Sequence, residues 1–205
     1  MKKKIYAFDF DGTLTHGDTL LLFIRHVHGT LRTVAGFALY SPLLVLMKLH
    51  LYPNYKAKQR VFAHFFKGMD EARFNAYCLD FARCNAQVIR PQARQYMASI
   101  IHKADLILVV SASINNWVLP FVEDYLATPA SMQRVRVLGT KIEVKNGMLT
   151  GRFSTPNCYG SEKVERMKPL VGDRSLCHIT AFGDSRGDKE MLDYADDSHF
   201  RPFRK

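Results

Sequence analysis

The stretch Ile5-Tyr6-Ala7-Phe8-Asp9-Phe10-Asp11-Gly12-Thr13 constrains this chain more than any other, because a nearly unbroken apolar run ends abruptly in two carboxylates and a glycine. A short run that is β-branched, aromatic and apolar on both faces is the pattern of a strand buried in a parallel sheet, with helices covering either side. Asp9 and Asp11 are two apart, so in a strand they leave on the same face and converge at its carboxyl end. That end is where open α/β sheets bind ligands. Two like charges held close are costly unless a cation joins them or one keeps a proton. Both arrangements have chemical uses. A hard cation such as Mg²⁺ accepts carboxylate oxygens, one carboxylate can attack phosphorus, and its neighbour can pass a proton. Gly12 lets the backbone approach an anion, and Thr13 adds a hydroxyl.

Three later places repeat this pattern. Residues 105–113 form a second strand of the buried type, ending in Ser111-Ala112-Ser113. Ser113 or Asn115 is expected to cap a helix carrying Trp117, Phe121 and Tyr125, with Pro120 tolerated only near its first turn, and a helix start after a small hydroxyl residue suits an anion. Residues 135–140 predict a third strand, and residues 141–152 a hairpin turning on Asn146-Gly147. Gly160-Ser161-Glu162-Lys163 opens a helix that runs to Val171. A lysine in the first turn opposes the helix dipole, which makes sense if an anion lies there. Residues 178–192 read as strand, Gly183, Asp184, a turn and a helix. Asp184 again sits at a strand end, and Asp188 is placed to orient it.

Between the first two strands the pattern is helical. Asp18 is expected to cap a helix that ends at Gly29. Residues 34–47 carry no charge and are interrupted by Pro42. A bilayer span needs about twenty apolar residues, so two readings stand: a packed helical hairpin, or an apolar surface that dips into a membrane or grips an acyl chain. Arg32 before the run, with Lys48, Lys56, Lys58 and Arg60 after it, would suit anionic head groups. Asn54 is expected to cap a helix reaching Lys67, with Ala57, Val61, Phe62, Phe65 and Phe66 as its apolar stripe. Asp70 begins another, with Phe74, Tyr77, Cys78 and Phe81 on one face, and Pro91 starts a third that reaches about His102. The chain therefore divides into an α/β core of residues 1–15 and 89–205 and an all-helical insertion of residues 16–88.

Taken in order, Asp9-Phe10-Asp11-Gly12-Thr13, Ser111-Ala112-Ser113, Lys163 and Asp184 with Asp188 resemble the four motifs of the haloacid dehalogenase-like hydrolases. That superfamily is dominated by Mg²⁺-dependent phosphatases, and the resemblance covers residues 4–195. It implies a Rossmann-like parallel sheet with an inserted helical cap. It implies Asp9 as nucleophile and metal ligand, and Asp11 as acid/base that ligates through its backbone carbonyl. Gly12, Thr13, Ser111, Ala112 and Lys163 would hold the phosphoryl group, Asp184 would complete the Mg²⁺ shell, and Asp188 would stand behind it. Dehalogenating members lack an acid at the position of Asp11, so phosphate esters are the expected substrates. The helical insertion after the first motif points to the subgroup that includes phosphoserine phosphatases. Those enzymes carry a Glu in the first cap helix for the substrate amino group, where this chain offers Asp18. The apolar 34–47 run is foreign to a site for a small zwitterion, and in hydrophobic pattern is more similar to phosphatidylglycerophosphate phosphatases. The implied reaction is hydrolysis of a phosphomonoester through an aspartyl-phosphate, with a lipid phosphate as first substrate. Phosphoserine or another small metabolite is the alternative, and phosphotransferase or phosphomutase chemistry a further one.

Composition narrows the partners. The 205 residues carry a net charge of +10, which suits an anionic partner and also solubility alone. No basic stripe is interleaved with aromatics, so nucleic acid is not expected. Hydrophobic and charged contents of 47% and 23% are those of a globular protein. Cys78, Cys84, Cys158 and Cys177 show no metal or redox spacing and are expected to be reduced thiols. The basic amino terminus leads directly into the first strand, as expected of a cytoplasmic protein, here one that also meets an anionic membrane peripherally at its inner face.

Overall fold

The computed structural model describes residues 2–49 and 51–204. Strand β1 (Lys3–Phe8) opens the chain and leads through a wide turn, Phe10–Leu14, into four helices: α1 (Thr19–Lys48), α2 (Asn54–Phe66), α3 (Glu71–Cys84) and α4 (Pro91–Ile100). There follow β2 (Leu106–Ile114), α5 (Asn115–Phe121), β3 (Val135–Thr140), the hairpin β4 (Ile142–Lys145) and β5 (Met148–Phe153), α6 (Ser161–Val171), β6 (Cys177–Gly183), α7 (Lys189–Tyr194) and β7 (Asp197–Phe200). The main sheet has the order β3-β2-β1-β6-β7, and every pairing in it is parallel. The mostly parallel Rossmann-like α/β fold expected from the sequence is the fold observed.

The near-continuous apolar strands are explained by burial on both faces. Ile5, Ala7, Leu108, Val110, Ile179 and Ala181 pack on one side with Met167 and Val171 of α6 and Met191 of α7. Phe8, Ile107, Val109 and Phe182 pack on the other, in a core continuous with the aromatic interior of the helical lobe. There Phe23 stands edge-on to Phe74 and Phe81 and stacks on Trp117. The two chain crossings between sheet and lobe run side by side in a neck. Thr15 and Ile89 pair antiparallel, the His16 N–H donates to Val88 O at 2.8 Å, and the Arg90 N–H donates to Leu14 O at 2.9 Å.

Several elements differ from the sequence reading. α1 bends at Gly29 (φ 77°, ψ 168°) as its glycine suggests, but then runs on to Lys48 through Pro42, so residues 34–47 form one helix rather than a hairpin. Pro42 cannot donate to the Ala38 carbonyl, and the Ser41 hydroxyl does so instead at 2.8 Å. α2 begins at Asn54 itself, with Pro53 in the capping position. Neither Ser113 nor Asn115 caps α5, because Asn115 Oδ1 is spent on the Gly139 N–H at 2.6 Å and Ser113 bonds elsewhere. β7 is a short polar strand with no hydrophobic signal, and the sequence reading passed over it.

The Asn146-Gly147 turn forms as expected, with both residues at positive φ. The hairpin's location is new. It lies against α2, with the Gly68 N–H donating to Leu149 O at 2.8 Å, the Leu149 N–H to Met69 O at 2.8 Å and the Phe153 N–H to Gln59 Oε1 at 2.9 Å. A stretch from the second half of the chain thus braces the helical lobe over the sheet.

Candidate active site

Asp9 directly follows β1, and its N–H continues the ladder to Phe182 O at 2.9 Å, so its side chain is presented from a fixed strand end. It is only 6% exposed. Lys163, 1% exposed, comes from the first turn of α6 and donates to Asp9 Oδ1 at 2.5 Å, Asp188 Oδ1 at 2.6 Å and Val110 O at 2.8 Å. That explains a lysine at an otherwise unfavourable helix position: two carboxylates and a carbonyl surround it. Burial alone would drive off its proton, but the neighbouring charges of Asp9 and Asp188 outweigh burial and hold its pKa above the ordinary lysine value. Asp9 is pushed up to about 7, by burial first, against the lowering pull of Lys163.

Asp188 is occupied on both oxygens. Besides Lys163 it accepts from the Asp184 N–H at 3.0 Å, the Ser185 N–H at 2.9 Å and the Ser185 hydroxyl at 2.9 Å. It fixes the loop that carries Asp184 and the position of Lys163 together. Asp184 lies across from the first loop and accepts from Arg204 at 2.5 Å. Gly12 is required here twice over. It has φ +81°, and a Cβ on it would fall 2.5 Å from Asp184 Oδ2.

Asp11 points toward the helical lobe. Its Oδ1 accepts from the Thr19 N–H at 2.8 Å and the Thr19 hydroxyl at 2.7 Å, and its Oδ2 from the Ser113 hydroxyl at 2.5 Å. Burial first, and the charge of Asp18 next, raise its pKa despite those donors, an environment that favours a carboxyl able to hold a proton.

These groups border a cavity of about 570 Å³. Asp9, Asp11, Gly12, Ala112, Lys163, Asp184 and Asp188 all line it. Ser111 lies behind the wall, fully buried, with its Oγ accepting the Ser113 N–H at 3.0 Å. Thr13 is also buried outside the lining, its hydroxyl without a partner among the described residues. Leu20, Phe37, Leu44, Met47 and Val61 add apolar side chains to the same lining.

Four residues at or beside the site are not among those expected from the sequence. Lys58 of α2 donates to Ala112 O at 2.7 Å from the cavity wall. Burial lowers its pKa, while Asp11 and Asp18 pull it back up. Arg204 lines the same cavity. Arg90, at the neck, donates to Thr15 O at 2.9 Å and to Gly12 O at 3.4 Å, gripping the first loop from behind. Ser113 holds Asp11. Among these, the sequence signalled Ser113 through the second hydroxyl of Ser-Ala-Ser, and Lys58 only as part of the basic flank of residues 34–47.

Oxygens of Asp9, Asp184 and Asp188 lie within 4.8 Å of one another. An all-oxygen, acidic donor set of this size fits a hard divalent cation such as Mg²⁺. Because Asp188 spends both oxygens on Lys163 and the Asp184–Ser185 loop, Asp9 and Asp184 are the carboxylates best suited to the ion.

Buried acids at the carboxyl ends of central parallel strands, one of them paired to a buried lysine, place the candidate site of this α/β fold beneath its helical lobe. The chain belongs to the haloacid dehalogenase-like hydrolases, whose family model matches residues 6–193. It is 29% identical over 204 residues to Protein CicA of Caulobacter vibrioides, an alignment that covers 98% of this chain and 86% of that protein. In fold it is similar to a protein of unknown function from Bordetella pertussis Tohama I, with a TM-score of 0.78, 17% identity, and coverage of 97% of this chain and 89% of the other. It is likewise similar to a phosphoserine phosphatase solved as a phospho-aspartyl intermediate analogue, with a TM-score of 0.66, 16% identity, and coverage of 97% and 86%.

Proposed function

We propose that this protein is a Mg²⁺-dependent phosphomonoester hydrolase that works through an aspartyl-phosphate on Asp9. The observation that carries the proposal is the buried Asp9–Lys163–Asp188 chain at the floor of a cavity whose wall holds a second carboxylate, Asp11. In the first step an Asp9 oxygen forms a bond to phosphorus as the ester P–O bond breaks, and Asp11 gives its proton to the leaving oxygen. In the second, water attacks phosphorus, Asp11 takes the water's proton, and inorganic phosphate leaves with Asp9 restored. Lys163 offsets charge on the phosphoryl oxygens, and Gly12, Thr13, Ser111 and Ala112 would hold the phosphoryl group from the ends of β1 and β2. Mg²⁺, held by Asp9, Asp184 and the Asp11 carbonyl, would supply charge neutralisation of the phosphoryl group. Residues 16–88 would act as the cap that selects substrate, over a core of residues 1–15 and 89–205.

We further propose a lipid phosphate, such as phosphatidylglycerophosphate, as substrate. A cavity lined both by charged groups and by Phe37, Leu44 and Met47 supports a phosphate joined to an apolar body. We place the enzyme in the cytoplasm, at the inner face of the membrane where such a substrate lies. A phosphoserine or small-metabolite phosphatase is the second reading, favoured by the likeness to phosphoserine phosphatase. A phosphotransferase would keep the same intermediate and pass the phosphoryl group to an alcohol.

Release of inorganic phosphate from phosphatidylglycerophosphate, phosphatidic acid, phosphoserine and sugar phosphates, with Mg²⁺ and with EDTA, separates these readings. The lipids should lead, and only with metal. Phosphoserine in the lead would overturn the substrate assignment. Turnover of none of them would overturn the enzyme assignment for these substrates.

A further inference from the structure

We propose that the outer face of α1 beyond Gly29 docks on an anionic bilayer surface and holds the catalytic cavity against it. The inference rests on the lipid-phosphate reading and names the surface that would deliver such a substrate. Leu31, Val34, Ala38, Pro42, Val45 and Leu49 follow steps of three and four residues, which places them on one side of a helix. All six are exposed; Leu31 reaches 88% and Leu49 60%. A soluble protein rarely leaves a long apolar stripe of this kind uncovered.

The opposite side of the same helix is engaged in the fold. A Cβ on Gly36 would meet Phe65 at 2.3 Å, the Tyr40 ring meets His64 edge-on, and Phe37, Leu44 and Met47 line the cavity. α1 is long and apolar enough to cross a membrane by composition. The bend at Gly29 and this inner packing instead fit a helix lying in the plane of the interface. One wall of the active-site cavity and one membrane-facing surface are then two sides of a single element.

Charge identifies the occupant. Exposed Arg32 and Lys48 border the stripe, and exposed Lys56 and Arg60 follow on α2. Such a border is attracted to anionic head groups and repels a second copy of itself, in a chain with a net charge of +10. An anionic lipid surface satisfies both the apolar stripe and its basic edges. A dimer would satisfy only the first.

The test is flotation of the full-length chain with phosphatidylcholine vesicles, with and without phosphatidylglycerol, at low and high salt. A variant carrying Leu31→Glu, Val34→Glu and Val45→Glu is run beside it, and hydrolysis of p-nitrophenyl phosphate is measured for both. Wild type should float with the phosphatidylglycerol vesicles and be released by salt. The variant should bind roughly tenfold more weakly or worse, with hydrolysis of the soluble ester unchanged. Wild type that stays in solution at every composition, a variant that floats like wild type, or a wild-type dimer that the variant breaks without any vesicle binding would each overturn the proposal. Vesicle binding without turnover of lipid phosphates would instead leave the docking surface standing and remove the substrate assignment.

Discussion

Lys163 holds its charge between Asp9 and Asp188 with almost no access to water, so alanine at this position would leave two buried carboxylates facing each other. Removing one partner of a buried ion pair costs about 3–5 kcal/mol. Denaturant unfolding of Lys163→Ala at neutral pH should show a loss of that order, whereas a variant as stable as wild type would mean that the lysine is not holding the site together. Asp9 makes a second, opposite prediction. Its folded pKa is raised to about 7 from 3.8, by burial before any other cause. Between those values the folded chain keeps a proton that the unfolded chain has lost. The contribution of Asp9 to stability therefore falls as pH rises through that window, by at most about 4 kcal/mol. In EDTA, wild type should lose stability from pH 4 to pH 7 more steeply than Asp9→Asn; parallel profiles would contradict the raised value. Asp9, Asp11, Lys163 and Asp184 were legible in the sequence because each ends a strand or begins a helix that has its own pattern. Ser113 on Asp11, Lys58 on Ala112 and Arg90 on Gly12 were not, because those bonds close over gaps of 102, 54 and 78 residues.

At the scale of elements, the hairpin braced against α2 is the contact with the clearest consequence. Gly151 has φ +81°, and a Cβ there would lie 2.8 Å from the Ala63 Cβ. Gly151→Ala therefore combines an unfavourable backbone region with overpacking, each worth about 1–3 kcal/mol. Thermal or denaturant unfolding should register a loss of at least about 1 kcal/mol, and no change would mean that the hairpin does not grip the lobe. The Asn146-Gly147 turn was plain from local chemistry, and β3 and α6 have the expected bounds. α1 was misjudged because Pro42 reads as a breaker until the Ser41 hydroxyl is seen to satisfy the freed carbonyl. The packing of the hairpin on a helix more than eighty residues earlier had no local signature at all.

For the molecule as a whole, the parallel sheet follows from strands apolar on both faces, and the position of the cavity follows from the acids at their carboxyl ends. The strand order and the neck at Thr15 and Ile89 needed the structure, since pairing partners are set by long-range packing. The proposed function rests on one atom of Asp9 becoming bonded to phosphorus. The most direct measurement is to mix the Mg²⁺-loaded enzyme with a phosphomonoester that it turns over, quench in acid during steady state, and locate the phosphoryl group by peptide mass spectrometry. We expect it on the peptide carrying Asp9, and absent from Asp9→Asn. Sustained turnover with the label on another residue, or with Asp9→Asn as active as wild type, would contradict the account.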